Sequence, residues 1–436
     1  MYFLYSLLLT LGFIILLPKF VFDAIFGGKY AAGLRQRLGR LPAFDAKTRR
    51  VVWLHCVSVG ETNAARPLVD MIKSDHPEVA LVVSTVTKTG QRLAQEIFKN
   101  KADLVCYFPF DLRFAVRRAL DHIKPSLVLL METEIWFNFV RETDRSGAHI
   151  VLINGRLSEK SFTRYTKIKK FMKRVLGHIE LALMQDKADA TRLMSLGIRG
   201  SKVKVTGNLK FDQGGAGDTR LTKQLRDRFG ITPEAPLIIA ASTHSPEEKW
   251  VLDAFKNAWK SSGERLPRLM IAPRHPERFE EVRAQIAKSG FTWVRRSEAP
   301  SARDKTAEVI LLDSIGELRA AYPLAEIVFV GGSLIPHGGQ SVMEPAAVGR
   351  AVITGPYTDN FKKAVEQFQA EGALRQIQRV SDRDVVEQLS DAFIDLLSNS
   401  SVRERLGHRA RSVMDSNQGA TARTMEFLGP LLESSR

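Results

Sequence analysis

Beyond residue 50 the chain alternates short runs of Val, Leu and Ile with segments of helical pattern, and it does so in two successive series. The first series predicts strands at 51–57, 79–84, 104–108, 127–131, 150–153 and 181–184, with a helix opening at Gly60-Glu61 and another over 89–99. The second predicts strands at 237–241, 269–272, 309–312, 327–330 and 351–354. Uniformly apolar strands separated by helices form parallel sheets covered on both faces. The Asp-Gln-Gly-Gly-Ala-Gly-Asp stretch at 212–218 separates the series and reads as a linker. A chain of 436 residues suits two such domains. The expected architecture is therefore α/β, two Rossmann-like domains facing across a cleft, at 23–213 and 214–436. The last helix is free to pack back on the N-terminal domain. Ligands in such sheets bind at the carboxyl ends of the strands.

The first 18 residues carry no charged side chain, a length near the lower limit for crossing a bilayer. A basic start and a small-residue cleavage site are both missing, which disfavours a cleaved signal peptide. Residues 1–22 are therefore expected to form a membrane-anchor helix. A helix lying in the interface is the alternative, because Lys19 and Asp23 sit close to the apolar run. Lys29, Arg35, Arg37, Arg40, Lys47, Arg49 and Arg50 follow, against Asp45 alone, so the body is expected on the cytoplasmic face of the inner membrane. The net charge of +16 suits polyanionic partners: nucleic acid, anionic membrane lipid or a phosphorylated substrate. No nucleic-acid recognition module or interleaved aromatic platform is present, and an anchor is awkward for a nucleic-acid binder. Cys56 and Cys106 each lie in a strand-like run, which fits buried thiols in a reducing compartment.

Six stretches carry chemistry, and all fall at predicted strand ends. In His55-Cys56-Val57-Ser58-Val59-Gly60-Glu61, the glutamate reads either as a complement to a helix dipole or as a general base. Met131-Glu132-Thr133-Glu134 puts two carboxylates at the end of an apolar strand, where they need partners, beside Trp136. Lys210 lies just before the linker, either as an ordinary surface lysine or as a cation that offsets phosphate charge. Ser242-Thr243-His244 with Glu247 and Glu248 resembles a helix cap that also suits an anion. In Ala272-Pro273-Arg274-His275-Pro276, two prolines fix the backbone around an arginine suited to phosphate. The stretch from Gly331-Gly332 through Gly338-Gly339-Gln340 predicts a Gly-rich loop entering a helix near Ser341, with Glu344 one turn in. Asp313-Ser314-Ile315-Gly316 reads as a further loop before a helix.

There is no P-loop and no convincing metal cluster. Asp382-Arg383-Asp384 has D-x-D spacing, but it follows Ser381 and reads as a cap with first-turn acids. Between Arg156 and Arg174 stand eight basic residues against Glu159 alone, with Phe162, Tyr165, Ile168, Met172, Val175 and Leu176 at helical spacing. This segment reads as an amphipathic helix, either an ordinary surface helix or one that meets anionic lipid beside an acceptor site.

In that order the six stretches resemble the 3-deoxy-D-manno-octulosonic acid (Kdo) transferases of lipopolysaccharide biosynthesis. Asn154-Gly155-Arg156-Leu157-Ser158 and Met184-Gln185-Asp186 also match. Family members usually carry His-Asn where this chain has Gln340-Ser341, and Pro where it has Phe137. The resemblance implies a GT-B glycosyltransferase with CMP-Kdo as donor, a lipid A precursor as acceptor, and no cofactor or metal. It makes Glu61 the proton acceptor and Glu132 and Lys210 the transition-state stabilisers. Pro273, Arg274, Ser314, Ile315, Gly316, Ser341, Val342, Met343 and Glu344 would surround CMP.

Overall fold

The computed structural model describes residues 1–26, 33–213, 217–261 and 266–433, with the side chains of the N-terminal helix described continuously through Leu16. The linker expected at 212–218 thus lies partly outside the described residues, as does Lys29 of the basic cluster. Two compact units result, 1–213 with 417–436, and 214–416. The helix Ala420–Glu433 belongs to the first unit, where Leu428 and Leu432 join the core against Leu68 and Ile72.

The first unit holds β1 (Val51–Cys56), β2 (Ala80–Thr85), β3 (Leu104–Tyr107), β4 (Leu127–Met131), β5 (His149–Gly155), β6 (Leu181–Met184) and β7 (Val203–Val205). They form one parallel sheet in the order β3-β2-β1-β4-β5-β6-β7. The second unit repeats the plan with β8 (Leu237–Thr243), β9 (Arg268–Pro273), β10 (Trp293–Arg295), β11 (Val309–Leu311), β12 (Ile327–Val330), β13 (Ala351–Thr354) and β14 (Arg375–Gln376). Their order is β10-β11-β9-β8-β12-β13-β14, again all parallel. Two Rossmann-like α/β units of this kind make up the GT-B fold.

Burial on both faces explains the continuous apolar strands. Along β1, Val51 and Trp53 enter one core layer, while Val52, Leu54 and Cys56 enter the layer on the opposite face. Each fully buried Leu, Val or Phe contributes about 1.5–3 kcal/mol relative to exposure, so the central strands anchor both units. In the first sheet the strand order reverses once, between β1 and β4; the second has the corresponding reversal between β8 and β12, with β10 and β11 transposed at its edge. The crevice at such a reversal is the usual ligand site. Glu61 and Glu132 follow β1 and β4, and His244 and Gly331 follow β8 and β12.

The N-terminal helix Tyr2–Phe26 packs along the first unit. The Tyr2 ring meets Phe171 edge-on at 4.9 Å, and Phe13 meets Phe110 at 5.2 Å. The Tyr5 hydroxyl donates to Asp111 Oδ2 (2.8 Å) and Ser6 Oγ to Asn138 Oδ1 (3.0 Å). Among the described residues no helix is long and apolar enough to cross a membrane. The basic segment expected as one amphipathic helix is two, Glu159–Thr166 and Lys169–Gly177, broken at Ile168. Phe171, Met172, Val175 and Leu176 are buried, while Lys160, Arg164, Lys167, Lys169, Lys170, Lys173 and Arg174 face solvent.

Candidate active site

Glu61 sits in the first turn of the helix Val59–Ala64. Ser58 caps that helix by accepting from the Glu61 N–H, and its hydroxyl donates back to Glu61 Oε1 at 2.9 Å. The Val57 N–H donates to Glu61 Oε2 at 2.8 Å. The S-x-x-E capping box therefore holds the carboxylate at the carboxyl end of β1. Burial pushes the Glu61 pKa up to about 7, and the nearby Glu132 and Glu134 charges add to the rise; the Val57 and Ser58 bonds oppose it. A carboxylate poised there suits proton abstraction near neutral pH. His55, in the same motif, is a core residue: its ring stacks on Phe108 at 3.7 Å, and burial lowers its pKa to about 3.

Glu132 follows β4 with φ 52°, a left-handed backbone that non-glycine residues rarely adopt. Such strain costs about 1–3 kcal/mol and tends to collect at working sites. Lys210 Nζ donates to Glu132 Oε1 at 3.0 Å, so two sequence-predicted residues 78 positions apart form an ion pair. Lys210 reaches this point from the short turn Leu209–Gln213. Asn154, itself at φ 52° near the end of β5, fixes that turn: its Oδ1 accepts from the Leu209 N–H at 3.0 Å. Asp212 clamps the other end by accepting from the Gly419 N–H at 2.7 Å. Asn154 was legible only as part of a matching stretch, and the tolerance of Asn for left-handed backbone is the signal that marks it. Nothing local in the sequence marks Asp212.

Glu132 and Glu134 open onto a cavity of about 490 Å³ that Arg156, Arg164, Ser158 and Trp136 also line. The acids face two guanidinium-bearing side chains across a space large enough for a sugar. Burial raises the Glu134 pKa, and the Glu132 charge adds to it.

In the second unit, Pro273 ends β9 and Arg274 is exposed just beyond it, its N–H donating to the Thr243 carbonyl at 3.0 Å. Ser314 Oγ donates to Glu317 Oε2 at 2.6 Å, Gly316 has φ 86°, and Ile315 is 72% exposed, an unusual position for an isoleucine. The helix expected near Ser341 is a single turn, Met343–Ala347, so Ser341 and Val342 precede it and Glu344 lies in its first turn. Pro345 is tolerated only in that turn, and Gly349 (φ 69°) soon follows, which keeps the helix short. Val342 and Met343 are buried and Ser341 and Glu344 half-buried. Burial raises the Glu344 pKa, while the charges of Arg319 and Arg274 pull it down, so Arg274 and Glu344 belong to one electrostatic neighbourhood.

The Gly-rich loop after β12 is held from beneath by Glu247, which sequence reading named only as a cap residue. Its fully buried carboxylate accepts from the N–H groups of His244 (2.9 Å), Gly332 (2.7 Å), Ser333 (3.0 Å) and Leu334 (2.9 Å). Gly331 must be glycine, because a Cβ there would lie 2.7 Å from Thr243 Cα. The D-x-D stretch opens the helix Asp382–Ser398, with Asp382 and Asp384 in the first turn.

Residues 32–213 match the family model described as 3-deoxy-D-manno-octulosonic-acid transferase (kdotransferase). The chain is 34% identical over 406 residues to the 3-deoxy-D-manno-octulosonic acid transferase of Haemophilus influenzae, covering 93% of this chain and 92% of that one. It is 32% identical to the protein of the same description from Bordetella pertussis, covering 92% of each. Among solved structures, the UDP-GlcNAc 2-epimerase of Neisseria meningitidis bound to UDP-GlcNAc aligns with a TM-score of 0.58 at 15% identity, over 87% of this chain and 99% of that chain. That last likeness speaks for the fold alone.

Proposed function

The chain belongs to the Kdo transferase family, glycosyltransferases of lipopolysaccharide biosynthesis, and we propose that it transfers Kdo from CMP-Kdo to a lipid A precursor (lipid IVA) with inversion. The observation that carries the mechanism is Glu61, a buried carboxylate with a pKa of about 7 at the end of β1, close enough to Glu132 to feel its charge.

An acceptor hydroxyl has a pKa far above neutrality and attacks poorly unaided. Glu61 takes its proton as the hydroxyl oxygen bonds to the anomeric carbon of Kdo. The bond from that carbon to the CMP phosphate oxygen breaks, and its electron pair leaves with CMP as a phosphate monoester. Help of this type is worth roughly 100- to 10,000-fold. Glu132 faces positive charge developing at the anomeric carbon, and Lys210 orients Glu132 and offsets negative charge on the reactants. Pro273, Arg274, Ser314, Ile315, Gly316 and the 341–344 segment hold CMP, with Arg274 on its phosphate. CMP leaves well as a monoester beside a guanidinium, so the reaction needs no metal and no cofactor.

The acceptor is a membrane lipid, and the protein works at the cytoplasmic face of the inner membrane. The N-terminal helix supports docking there. One face packs on the first unit, while Leu4, Leu8, Leu11 and Ile15, at spacings of three and four, are 47–75% exposed. A helix engaged this way from Tyr2 to Phe13 suits the interface plane better than a path across the bilayer. The exposed lysines of 160–174 add attraction for anionic lipid.

The test is product mass after incubation of the protein with CMP-Kdo and a tetraacyl lipid A precursor in EDTA, beside Glu61→Gln. Mass gain in whole Kdo units, lost in the variant, is the expected result. A glycosyl-enzyme intermediate would overturn direct displacement, and dependence on a divalent ion would overturn metal independence.

A further inference from the structure

A second cavity, of about 370 Å³, lies between the N-terminal helix and the first unit. Its walls are largely apolar: Leu9, Phe13 and Leu16 from the helix face Phe108, Phe110 and Trp136 from the unit. Two charged side chains also reach it, and both are occupied. Asp111 accepts from the Tyr5 hydroxyl and from the N–H groups of Asn138 (3.0 Å) and Phe139 (2.7 Å). Arg37 donates to the Val86 carbonyl and lies over the Tyr107 ring at 4.6 Å. What is left for a ligand is hydrocarbon surface.

Two relationships say what would fill it. Trp136 lines this cavity and also the polar one that holds Glu132 and Glu134, so the two chambers adjoin at one residue. Leu8 lines the cavity and also belongs to the exposed Leu4, Leu8, Leu11, Ile15 stripe, so the chamber borders the surface proposed to meet the bilayer. A molecule with a polar sugar head and a hydrocarbon tail fits the pair, with its head in the polar chamber and its tail in the apolar one.

We propose that the cavity between the N-terminal helix and the first unit is a subsite for one acyl chain of the acceptor lipid, drawn from the bilayer past Leu8 and aligned by Trp136 beside the catalytic carboxylates. This rests on the reading of the acceptor as an acylated saccharide. A chain leaving a bilayer for such a chamber gains little from the hydrophobic effect, because lipid is as apolar as the walls. The subsite therefore selects and positions the acceptor and does not by itself drive membrane binding. From water, by contrast, each methylene taken into it adds about fourfold in affinity.

Gly12 supplies the test. It lines the cavity, and a Cβ added there meets no described atom within 4 Å, so a substitution there starts in open space. The full-length protein is titrated with a single-chain phosphocholine detergent brominated near the chain end, below its micellar concentration, and tryptophan quenching is followed. Saturable quenching is expected in the wild type, lost in Trp136→Phe, with half-saturation shifted at least tenfold in Gly12→Leu while Gly12→Ala stays near wild type. Circular dichroism and the thermal midpoint are measured on each variant to show that the fold is kept. Wild-type half-saturation in Gly12→Leu, or quenching that survives Trp136→Phe, overturns the subsite. In a transfer assay Gly12→Leu should raise the KM for the tetraacyl acceptor about tenfold with kcat held within about twofold. If the wild type binds the probe through Trp136 yet transfers nothing from CMP-Kdo, the functional reading fails and the subsite stands.

Discussion

Lys210 and Glu132 are 78 residues apart and meet at 3.0 Å, each side chain about four-fifths withdrawn from solvent. The pair joins the end of β4 to the turn after β7, across the width of β5 and β6. Because Glu132 sits on a strained left-handed backbone, the ion pair also fixes where its carboxylate points. The two residues are thus predicted to act as one unit. Lys210→Ala and Glu132→Gln should each lower kcat/KM by at least about 100-fold, and the double variant should cost little more than either alone. Additive losses in steady-state kinetics on the four proteins would show that they act separately.

With Glu61 as the proposed base, its pKa of about 7 sets the expected pH profile. The base must be ionised to accept a proton, so activity is lost as pH falls. Log kcat/KM should drop with unit slope below about pH 7 and level off above it. Glu61→Asp should shorten the reach and lower the plateau about 10- to 1,000-fold, and Glu61→Gln should remove the ionisation altogether. A profile that bends only near pH 4.5 would mean that the base is some other, solvated group.

The same shift bears on stability, with the opposite preference. The folded state raises the Glu61 pKa above its ordinary value of 4.5, so the native protein holds this proton more tightly than the unfolded chain. Its contribution is therefore fully present below pH 4.5 and is lost as pH rises from 4.5 to about 7. Above pH 7 the ionised carboxylate is a buried charge that costs a few kcal/mol at most. Glu61→Gln should consequently melt higher than the wild type at pH 8, with the difference shrinking toward pH 5. Matched thermal scans at the two pH values check this, and a variant less stable at pH 8 would contradict it.

Much of this was legible in residues, and the limits have physical causes. The central strands announce themselves because burial on both faces demands unbroken Val, Leu and Ile. The edge strands β7, β10 and β14 do not: Val203–Val205 is partly exposed and interrupted by Lys204, and Arg375–Gln376 is two half-buried polar residues. Glu61 and Glu132 stand at predicted strand ends and Lys210 just before the expected linker, and their roles come from the family resemblance. Their supports could not be named, because Asn154 and Asp212 act through the backbone of segments distant in sequence. The helix expected near Ser341 starts two residues later, at Met343, which places Pro345 in its first turn, where proline is tolerated. The N-terminal run reads as a span by hydropathy alone; only its contacts with Phe171, Asp111 and Phe110 reveal how it packs.

Glu247 gives the last prediction, in the second unit. Four backbone N–H groups converge on its two oxygens, three of them from the loop Gly332 to Leu334. Hydrogen bonds to an ionised acceptor are the strong kind, and the carboxylate has no water to fall back on. In Glu247→Gln one oxygen becomes an NH₂ group facing N–H donors, so at least one loop amide loses its acceptor and two donors confront each other. Such a change at a buried site costs about 2–4 kcal/mol, and the loop should relax first because the N–H groups of Gly332, Ser333 and Leu334 all donate to Glu247. If that loop leads the chain into the proposed CMP contacts at 341–344, the variant should bind CMP at least about tenfold more weakly by calorimetry, and its denaturant midpoint should fall. Glu247→Asp keeps the charge but retracts it by one methylene, and should lie between the two. A destabilised Glu247→Gln that binds CMP as tightly as the wild type would separate the loop from the nucleotide and move the donor site toward Arg274 and the Ser314 turn.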